Sequence, residues 1–576
     1  MHVYSNLADL KFKPSKLLFD DELADKYKPV LACYESSNNC FVALTTEDKE
    51  HDQDVQHKIA QLGTKAERNY RLNRHKTYLV KPSVLVEIRN KVSDGKVHSH
   101  EKLRIDFDRL LATAISKNAS DIHIKVNPLR AFSMFRIYGE LQHYQDYDVS
   151  YMQALVGAMY NDMGEESSKD SEFNPKKIQE TVIERFIDHK KYRIRFVSVP
   201  TVSSDSGLNK SLSSPFKSVS RILQIDRASM KDFVTLGFRS DLIEKIERAV
   251  LAPHGLGIVS GSVNNGKSTT LAAMTDFIVD NYPHKHIMTI ESPVEYFISA
   301  DTVTQHPVHT SVDIENEALE KSYKTSQSAS LRSDIDVELQ NEIRNEETAR
   351  FAQLIVQSGH LFLSTVHAQS ALNIVNRLVA LGIERDVLCS PDFLRVLIHQ
   401  SLLQTVCPSC ALGYEEFSDV LAIEASDIVK TTHKHHALLK RIDTLFSLYG
   451  IDNKYKSQLR FRNYQGCEHC KHGVYGIKGL TVAAEVVKPT GKLIDLLAKN
   501  DAIGAYLHWR SSGDLTVKED GILKVLKGEV CPTSFETKLG MIDEVEMHDL
   551  IEDALGTDFI KRVLNPYLEK QEPTNA

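Results

Sequence analysis

An eight-residue stretch of the sequence has the residue types and the spacing of a phosphate-binding loop. Residues 261–268 read Gly-Ser-Val-Asn-Asn-Gly-Lys-Ser, which matches a glycine, four residues and then Gly-Lys-Ser. In a loop of this kind, backbone N–H groups surround the phosphates, and the N-terminus of the following helix adds a favourable dipole. The sequence therefore predicts that Lys267 reaches the β- and γ-phosphates of a nucleotide and that Ser268 binds Mg²⁺.

The residues on either side of this loop favour a binding site over a chance glycine-rich turn. The apolar run 256–259 is typical of a strand that leads into the loop, and the run 269–274 is typical of a helix that leads out of it. A phosphate-binding loop requires this order of strand, loop and helix. The residues predicted to contact the nucleotide are Gly261, Ser262, Val263, Asn264, Asn265, Gly266, Lys267, Ser268, Thr269 and Glu291.

Acidic residues and a histidine follow three predicted strands downstream of the loop. Glu291 and Glu295 follow the first strand, Glu342 follows the second, and His367 follows the third. Because the carboxyl ends of parallel strands meet at one edge of a sheet, these side chains are expected to lie near the loop. Phosphoryl transfer depends on positioning, metal binding and charge neutralisation, which such side chains supply. Each of them alone is more often a surface or core residue without chemistry, so the prediction depends on their joint placement.

Four of the eight cysteines form two Cys-x-x-Cys pairs, Cys407 with Cys410 and Cys467 with Cys470. Four thiolates at this spacing make a closed tetrahedral Zn²⁺ site, which supports the fold and leaves no open coordination position for chemistry. A redox pair is the alternative, and the presence of two matched pairs favours the metal. The other cysteines are expected to be buried thiols, namely Cys33, Cys40, Cys389 and Cys531.

The composition is that of a soluble globular protein. The chain has 576 residues, of which 42% are hydrophobic and 26% are charged, and a formal net charge of −8. This length predicts about three or four domains, and the charge does not suggest a protein that coats nucleic acid. No apolar run reaches about 18 residues, the length that a membrane-spanning helix needs. The N-terminus lacks a basic segment followed by an apolar one, so no secretory signal is expected and the protein is predicted to be cytoplasmic.

Changes in composition along the chain predict five segments. They are an accessory region without a recognisable motif, a small α/β domain with a Ser-rich linker at its end, the nucleotide-binding core, a four-cysteine module and a C-terminal helical region, at residues 1–95, 96–235, 236–400, 401–490 and 491–576. In the small domain, residues 107–115 favour a helix and residues 120–126 favour a half-buried strand. A charged surface helix is expected at residues 58–73.

The motifs around the loop, taken in order, resemble those of the secretion and pilus-assembly ATPases, which are the motors of type II secretion and of type IV pilus assembly and retraction. Residues 291–295, Glu-Ser-Pro-Val-Glu, resemble the Asp box of that family. Residues 331–349 resemble its Walker B region, and residues 359–367 resemble its His box. Residues 120–123 and 193–201 are similar to signatures of the small domain that precedes the motor.

The resemblance covers residues 105–545 and implies an α/β fold with several parts. These are a small PAS-like domain, a RecA-like P-loop ATPase core, a four-cysteine zinc module and a C-terminal helical region. It further implies that Glu295 activates the attacking water and that Glu342 acts on the metal. Residues implied to sense the γ-phosphate, or to reach it from a neighbouring subunit, are His360, His367, Arg195 and Arg221. An ordinary surface arginine remains the alternative for Arg195.

The chain departs from the family pattern at several positions. Residues 263–265, Val-Asn-Asn, stand where the family prefers Thr-Gly-Ser, although asparagine tolerates a left-handed backbone. Ser292 replaces Asp in the Asp box, and Asn341 replaces Gly before Glu342. The run 337–341 is also too polar for a strand that is buried on both faces. These changes put the turnover rate in question more than nucleotide binding.

The resemblance implies a cytoplasmic ring ATPase, expected to be a homohexamer, that drives assembly of a type IV-like pilus or a type II secretion pseudopilus. It would act through an inner-membrane platform protein, associate with the membrane only through partners, and require ATP, Mg²⁺ and structural Zn²⁺. One alternative is a conjugative or DNA-translocating ATPase, but the basic strip with aromatic residues that would bind single strands is not found, so no nucleic acid is expected. The other alternative is a hydrolysis-impaired nucleotide-binding subunit.

Overall fold

The structure is a computed structural model, and the chain divides into two compact units, residues 1–223 and residues 224–310 with 314–576. Each unit is built around β-sheets with helices packed against them. The residues that the structure describes are 3–4, 14–18, 30–35, 40–70, 73–85, 88, 100–128, 130–166, 169, 172–202, 214–225, 232–292, 294–308, 316–418, 429–471 and 473–569.

The first 95 residues contain a small five-stranded sheet with a helix on one face. The strands are β1 (Val3–Tyr4), β2 (Pro14–Leu17), β3 (Val30–Glu35), β4 (Cys40–Thr45) and β5 (Asn73–Val80), in the spatial order β1-β5-β4-β3-β2. Helix α1 (Gln53–Tyr70), which overlaps the expected surface helix, buries Val55, Ile59 and Leu62 against Phe41 of the sheet. The sequence of this region carries no recognisable motif, although three of the four strand pairs in this sheet join strands that are consecutive in the chain.

The second sheet of the first unit has six strands, and two helices belong to the same domain. The strands are β6 (Ala119–Val126), β7 (Ala131–Ile137), β8 (Glu140–Tyr147), β9 (Gln179–Ile187), β10 (Lys190–Pro200) and β11 (Phe216–Gln224), in the order β8-β7-β6-β11-β10-β9. The helices are α2 (His100–Ser116), which contains the expected helix, and α3 (Val149–Asn161). The PAS-like character of this domain stays a prediction.

Two features of this sheet differ from the expectation. The strand expected to be half-buried, β6, has six buried residues out of eight, because it lies between β7 and β11 in the interior of the sheet. The Ser-rich segment 203–214 lies mostly outside the described residues. It does not end the domain, because β11 follows it and pairs antiparallel with β6, from Phe216 opposite Val126 to Arg221 opposite Asp121.

The second unit is built on a seven-stranded sheet that is parallel except at one edge. Its strands are β12 (Gly255–Ser260), β13 (Ile287–Glu291), β14 (Val303–Pro307), β15 (Val337–Gln340), β16 (Leu361–Val366), β17 (Leu394–Val406) and β18 (Ile477–Val487), in the order β14-β13-β15-β16-β12-β17-β18. Strand β18 is antiparallel to β17. Helices α4 (Phe233–Leu236) and α5 (Ser240–Val250) precede β12, and the helices between the strands are α6 (Lys267–Asn281), α7 (Asn316–Ser330), α8 (Glu346–Gln357), α9 (Asn373–Ala380) and α10 (Arg385–Leu388).

Both faces of the parallel sheet are covered by apolar cores. Successive residues of β12 and β16 alternate between two clusters, with Ile258 and Phe362 in one cluster and Val259 and Leu363 in the other. A parallel sheet with helices on both faces is expected to be apolar on both sides. The strands that lead to the predicted site are therefore held rigidly by packing.

Strand β15 is the exception in composition, and here the expectation from sequence is wrong. All four of its residues are buried, although Glu338 and Gln340 are polar. Val337 and Leu339 join the apolar core on one face, and on the other face the Glu338 carboxylate accepts a hydrogen bond from Ser330 at the end of α7. Burial raises the pKa of Glu338 to about 8, so a neutral, protonated carboxyl accounts for a polar strand in the middle of the sheet.

The four-cysteine module is an insertion in the hairpin of β17 and β18. The core sheet therefore continues to Val487 and does not end near residue 400. The module contains α11 (Val429–Leu448) and a 3₁₀-helix (Asn453–Gln458), and the C-terminal region contains α12 (Gly491–Ala498), α13 (Ala502–Ser511), α14 (Val517–Leu526), α15 (Pro532–Leu539), α16 (His548–Leu555), α17 (Phe559–Val563) and α18 (Asn565–Glu569). Among the described residues, no helix combines the length and the apolar character needed to cross a membrane.

Candidate nucleotide-binding site and metal centre

The loop between β12 and α6 has the backbone that a phosphate site requires. The expected strand and helix are confirmed, since β12 ends at Ser260 and α6 begins at Lys267. Asn264 and Gly266 have left-handed backbones with φ of 65° and 76°, so the asparagine that departs from the family pattern takes a conformation it tolerates. The N–H groups of Lys267 and Ser268, in the first turn of α6, have no acceptor among the described residues, which leaves them available to an anion.

Gln400, on the neighbouring strand β17, holds this loop in place. Its Nε2 donates to the carbonyl of Asn265 at 2.7 Å, and its Oε1 accepts from the hydroxyl of Thr270 at 2.8 Å. Asn265 is itself buried, and its Nδ2 lies 3.4 Å from the carbonyl oxygen of Gln400. Gln400 is not predictable from local sequence, because 135 residues separate it from Asn265 and only the parallel pairing of β12 with β17 brings the two together.

The ammonium group of Lys267 lies inside the loop. Its Nζ donates to the carbonyl of Gly261 at 2.8 Å and lies 3.2 Å from the carbonyl oxygen of Ser262. Burial lowers the pKa of Lys267, while the carboxylates of Glu342 and Glu295 act in the opposite direction. The structure therefore brings the predicted phosphate-binding lysine and both predicted catalytic acids to one place.

His367 lies between the loop and Glu342. Its Nδ1 is 3.2 Å from the carbonyl oxygen of Gly261 and 3.5 Å from Nζ of Lys267, and its Nε2 is 3.2 Å from Oε1 of Glu342. Each ring nitrogen thus faces one oxygen acceptor, the carbonyl of Gly261 or the carboxylate of Glu342. Arg344, which sequence analysis did not single out, donates from Nε to the other carboxylate oxygen of Glu342 at 2.9 Å. The ends of β15 and β16 thus form one chain of polar contacts beside the loop.

Glu291 and Glu295 belong to the same motif but have different environments. Glu291 is buried at the end of β13, where its Oε1 accepts hydrogen bonds from Thr289 at 2.7 Å and Gln305 at 3.1 Å. Burial raises the pKa of Glu291. Glu295 is partly exposed and acts electrostatically on Lys267. Glu291 is therefore engaged inside the sheet, where it supports the segment that carries Glu295. This differs from the prediction, in which the side chain of Glu291 contacts the nucleotide.

Two tyrosines that sequence analysis missed connect this segment to the helices around it. The hydroxyl of Tyr296 lies 2.7 Å from the hydroxyl of Thr269 in the first turn of α6. Tyr323, on α7, is hydrogen-bonded to the side chain of Ser292, the residue that replaces the family's aspartate. The hydroxyl of Thr269 is thus already engaged, and the side chain of Ser292 has a partner in this fold.

His360 and His367 lie at opposite ends of β16. Strands β12 and β16 are parallel, and Ser260, which precedes the loop, pairs with Val366, which precedes His367. His360 precedes the first residue of β16. At about 3.3 Å per residue, this strand separates His360 from the loop edge by about 20 Å. Within one chain, His360 therefore does not reach a nucleotide at the loop, contrary to the implied role.

The two arginines implied to act across a subunit boundary lie on the six-stranded sheet of the first unit. Arg195 lies on β10 opposite Val182 and is partly exposed. Arg221 lies on β11, and its Nε donates to Oδ1 of Asp121 at 3.1 Å. Asp121 therefore holds the guanidinium of Arg221 within its own domain, and the contact of either arginine with a neighbouring subunit stays a prediction.

The four paired cysteines come together as expected for a metal centre. Their sulfur atoms all lie within 4.8 Å of one another. The Sγ–Sγ distances are 3.8 Å for Cys407 with Cys467, 3.9 Å for Cys410 with Cys470 and 3.8 Å for Cys467 with Cys470. A tetrahedral Zn²⁺ with Zn–S bonds of about 2.3 Å places its ligands about 3.8 Å apart, whereas a disulfide needs about 2.05 Å. The four side chains therefore fit a structural zinc ion.

The backbone around the second cysteine pair supports thiolates. The N–H groups of Cys467 and Gly476 point to Sγ of Cys470, each at 3.2 Å. Burial acts to raise the pKa of Cys470, but these hydrogen bonds lower it to about 7. Gly466 and Gly476 have φ of 68° and 74°, and a Cβ at Gly466 would lie 2.5 Å from the ring of Tyr475. These glycines allow tight turns next to the predicted metal ligands.

Comparison with known proteins gives a consistent result. The family model described as type II/IV secretion system protein matches residues 96–547. The chain is 27% identical over 424 residues to the type II secretion system protein E of Pseudomonas aeruginosa, covering 73% of this chain and 72% of that protein. It is 27% identical over 422 residues to the type II secretion system ATPase E of Vibrio cholerae serotype O1, with 73% and 72% covered. Among solved structures, the ATPase DotB of Legionella pneumophila has a similar fold, with a TM-score of 0.50, 17% identity and coverage of 75% of this chain and 95% of that chain.

The family match spans more than half of the chain, and it contains the six-stranded domain, the phosphate-binding loop, the acids and histidines beside it, and the cysteine module. The protein belongs to the type II/IV secretion system protein family and has the mixed α/β fold of the secretion ATPases.

Proposed function

We propose that the protein hydrolyses ATP and supplies the mechanical work for a type II secretion system or a type IV-like pilus. One observation carries this proposal. Lys267, Glu342 and His367 lie beside the first turn of α6, where the N–H groups of Lys267 and Ser268 have no acceptor among the described residues. A helix N-terminus with a lysine attracts phosphate, and carboxylates close by serve a divalent ion and a water nucleophile.

Each residue at this edge has a role that follows from its position. The first-turn N–H groups and Lys267 would neutralise the charge of the β- and γ-phosphates. The hydroxyl of Ser268 would hold Mg²⁺, with Glu342 close enough to act through its coordination shell. Bound Mg²⁺ supplies charge neutralisation at the phosphate oxygens as the bond breaks. Glu295, a partly exposed carboxylate that acts electrostatically on Lys267, would accept the proton of the attacking water.

The resemblance to the secretion and pilus-assembly ATPases supports a wider proposal about assembly. The chain would form a homohexamer in the cytoplasm and act on an inner-membrane platform protein, with peripheral membrane contact through that partner. Arg195 and Arg221 would reach the nucleotide of a neighbouring subunit, as an arginine finger does. The four cysteines would hold a structural Zn²⁺, and no nucleic acid would be bound.

ATP hydrolysis measured against oligomer size tests this proposal. Wild-type protein is expected to hydrolyse ATP in a ring-sized fraction, while Lys267→Ala abolishes nucleotide binding and Glu295→Gln and Glu342→Gln retain binding but hydrolyse slowly. Equal rates for wild type and Lys267→Ala would instead favour the hydrolysis-impaired subunit. Stimulation by single-stranded DNA, and none by the cytoplasmic domain of a platform protein, would favour a DNA translocase.

A further inference from the structure

Glu485 is a buried carboxylate that joins two distant segments of the second unit. It lies on β18 and is 4% exposed. Its Oε1 accepts a hydrogen bond from the backbone N–H of Ala371 at 2.6 Å, and its Oε2 accepts one from the backbone N–H of Val517 at 3.2 Å. Each carboxylate oxygen therefore takes one backbone amide, and the two amides belong to different parts of the nucleotide-binding unit.

The first of these segments is the loop that carries His367. This loop leaves β16 at His367 and reaches Ala371, which is fully buried and opens the turn into α9. The loop is thus held at both ends, by the contacts of His367 with Glu342 and Lys267 and by the contact of Ala371 with Glu485. The carboxylate limits how far the backbone behind His367 can shift.

The second segment is the N-terminus of α14, which is firmly anchored. Val517 is its first residue, and the position of a carboxylate there is favourable because of the helix dipole. Two residues of the same helix form buried ion pairs, Glu519 with Arg510 at 2.6 Å and Asp520 with Arg239 at 2.6 Å. Helix α14 is therefore a rigid support against which Glu485 can hold a loop.

The same face of the sheet leads back to the phosphate-binding loop. His399, on β17, is the register partner of Glu485, so the two side chains share one face of the sheet. The Nδ1 of His399 lies 3.0 Å from the hydroxyl of Ser260, the last residue before the loop. Ser260, His399 and Glu485 thus form a row that runs from the nucleotide edge to the C-terminal helices.

We propose that Glu485 is a positioning residue for ATP hydrolysis, which holds the His367 loop against the N-terminus of α14 and so keeps His367 in contact with Glu342. The proposal rests on the function proposed above. Glutamine cannot replace the carboxylate fully, because its one oxygen accepts from one amide while its NH₂ group faces the other donor. Loss of one amide contact is expected to misplace His367. This should lower kcat more than it weakens nucleotide binding, because neither Ala371 nor Glu485 lies in the phosphate-binding loop.

The electrostatics of the site separate this role from a structural one. Burial raises the pKa of Glu485 to about 7, the two backbone N–H groups and Arg510 lower it, and Glu546 raises it, with His399 facing it from β17. At pH 8 the folded protein therefore carries an unfavourable buried charge that glutamine would remove. A residue retained only for stability would change the thermal midpoint on this replacement and leave kcat unchanged, whereas a positioning residue loses turnover.

The test compares Glu485→Gln with the matched variant Glu338→Gln, which makes the same change at another buried carboxylate of the sheet, away from the His367 loop. Steady-state ATPase kinetics at pH 8 are expected to show kcat lowered about tenfold in Glu485→Gln, with KM for ATP within about twofold of wild type. The thermal midpoint should be no lower than that of wild type. Glu338→Gln should keep the wild-type kcat.

Each other outcome has a definite meaning. An unchanged kcat in Glu485→Gln, or a fall in kcat that appears together with a lower thermal midpoint or equally in Glu338→Gln, overturns the positioning role. The variant Glu485→Asp, whose shorter side chain keeps the charge but not both contacts, should resemble Glu485→Gln, and full activity there also overturns it. If the wild-type protein shows no ATPase activity, the proposed function fails, which is a different result.

Discussion

The imidazole Nε2 of His367 lies 3.2 Å from Oε1 of Glu342, and these residues follow neighbouring strands of the parallel sheet. The other ring nitrogen lies 3.5 Å from Nζ of Lys267. In the proposed function, His367 would connect the carboxylate next to the metal with the lysine that binds the phosphates. We therefore expect His367 to be the histidine of this motif that contributes to turnover.

Replacing His367 by alanine is expected to lower kcat for ATP by about a hundredfold and to leave nucleotide binding nearly unchanged. The physical reason is that, in the proposed function, the N–H groups of Lys267 and Ser268 and the Lys267 ammonium would bind the phosphates, while His367, in contact with Glu342, would orient groups at the reacting end. Stopped-flow or steady-state phosphate release measures the rate, and calorimetry with ADP measures the binding.

His360 provides the matched control, since it belongs to the same motif but lies at the other end of β16. The variant His360→Ala should retain a rate within about threefold of wild type. A large loss in His360→Ala, with ADP binding intact and a normal melting curve, would show that this end of the strand contributes to the reaction in the assembled protein.

Asn264 is expected to tolerate glycine but not valine. Its φ of 65° is open to glycine and is unfavourable for a β-branched residue, with a cost of about 1–2 kcal/mol. The variant Asn264→Gly should bind ADP as tightly as wild type, whereas Asn264→Val should bind about tenfold more weakly. Calorimetric titration of both variants checks this, and tight binding by Asn264→Val would mean that the backbone there does not matter for affinity.

The cysteine centre is expected to hold one Zn²⁺ per chain. Elemental analysis of purified protein should find close to one equivalent of zinc per chain. Less than about half an equivalent would contradict the predicted zinc site. Cys467→Ser should lose the metal and lower the thermal midpoint, because the site ties the base of the inserted module together. Cys389→Ser is the control, since this buried thiol lies outside the cluster and should leave the zinc content unchanged.

The buried pair of Arg510 and Glu519 is expected to be sensitive to the loss of one partner. Arg510 is 0% exposed and donates twice to the Glu519 carboxylate, at 2.7 Å and 2.6 Å. Arg510→Met leaves a buried carboxylate without its counter-charge and should lower the free energy of unfolding by about 3–5 kcal/mol. The double variant with Glu519→Gln should recover a large part of this loss, and equal losses in the single and double variants would contradict the pairing argument.

Glu338 predicts a specific pH dependence of stability. Burial raises its pKa to about 8 in the folded state, above the ordinary value of 4.5. Between these two pKa values the folded protein holds a proton on Glu338 that the unfolded chain has released. The contribution of this proton to the free energy of unfolding is fully present below about pH 4.5. As the pH rises towards 8, the contribution is lost by up to about 1.4 kcal/mol per pH unit. Urea denaturation from pH 6 to 9 should show a flatter profile for Glu338→Gln than for wild type.

Local sequence predicted the parts of the site that depend on neighbours in the chain. The loop at 261–268 and its flanking strand and helix follow from short-range backbone requirements that residue types reveal. The cysteine pairs were recognisable because each pair supplies two ligands from one tight turn. The structure confirms that the four cysteines cluster, and their binding of Zn²⁺ stays a prediction.

Other parts depended on register and burial, which residue types alone do not reveal. Gln400 supports the loop because β17 pairs with β12. His360 lies far from the site because it precedes β16, whereas His367 follows this strand at the end next to the loop. The sequence places Glu291 among the residues expected to contact the nucleotide. In the structure it lies inside the sheet, where its carboxylate accepts hydrogen bonds from Thr289 and Gln305. The polar strand β15 is central because Ser330 and protonation of Glu338 make its burial possible.

The sequence by itself determined that this protein has a loop with the phosphate-binding pattern, two Cys-x-x-Cys pairs and, in order, the motifs of a secretion ATPase, since each motif and each pair is encoded within a few consecutive residues. Only the tertiary structure decided which acids and histidines face the loop, where the cysteine module interrupts the sheet, and that Glu485 connects the His367 loop to a C-terminal helix. The physical reason is that a side chain's chemistry is local, whereas its partners, its exposure to water and therefore its charge are fixed by strands and helices from distant parts of the chain.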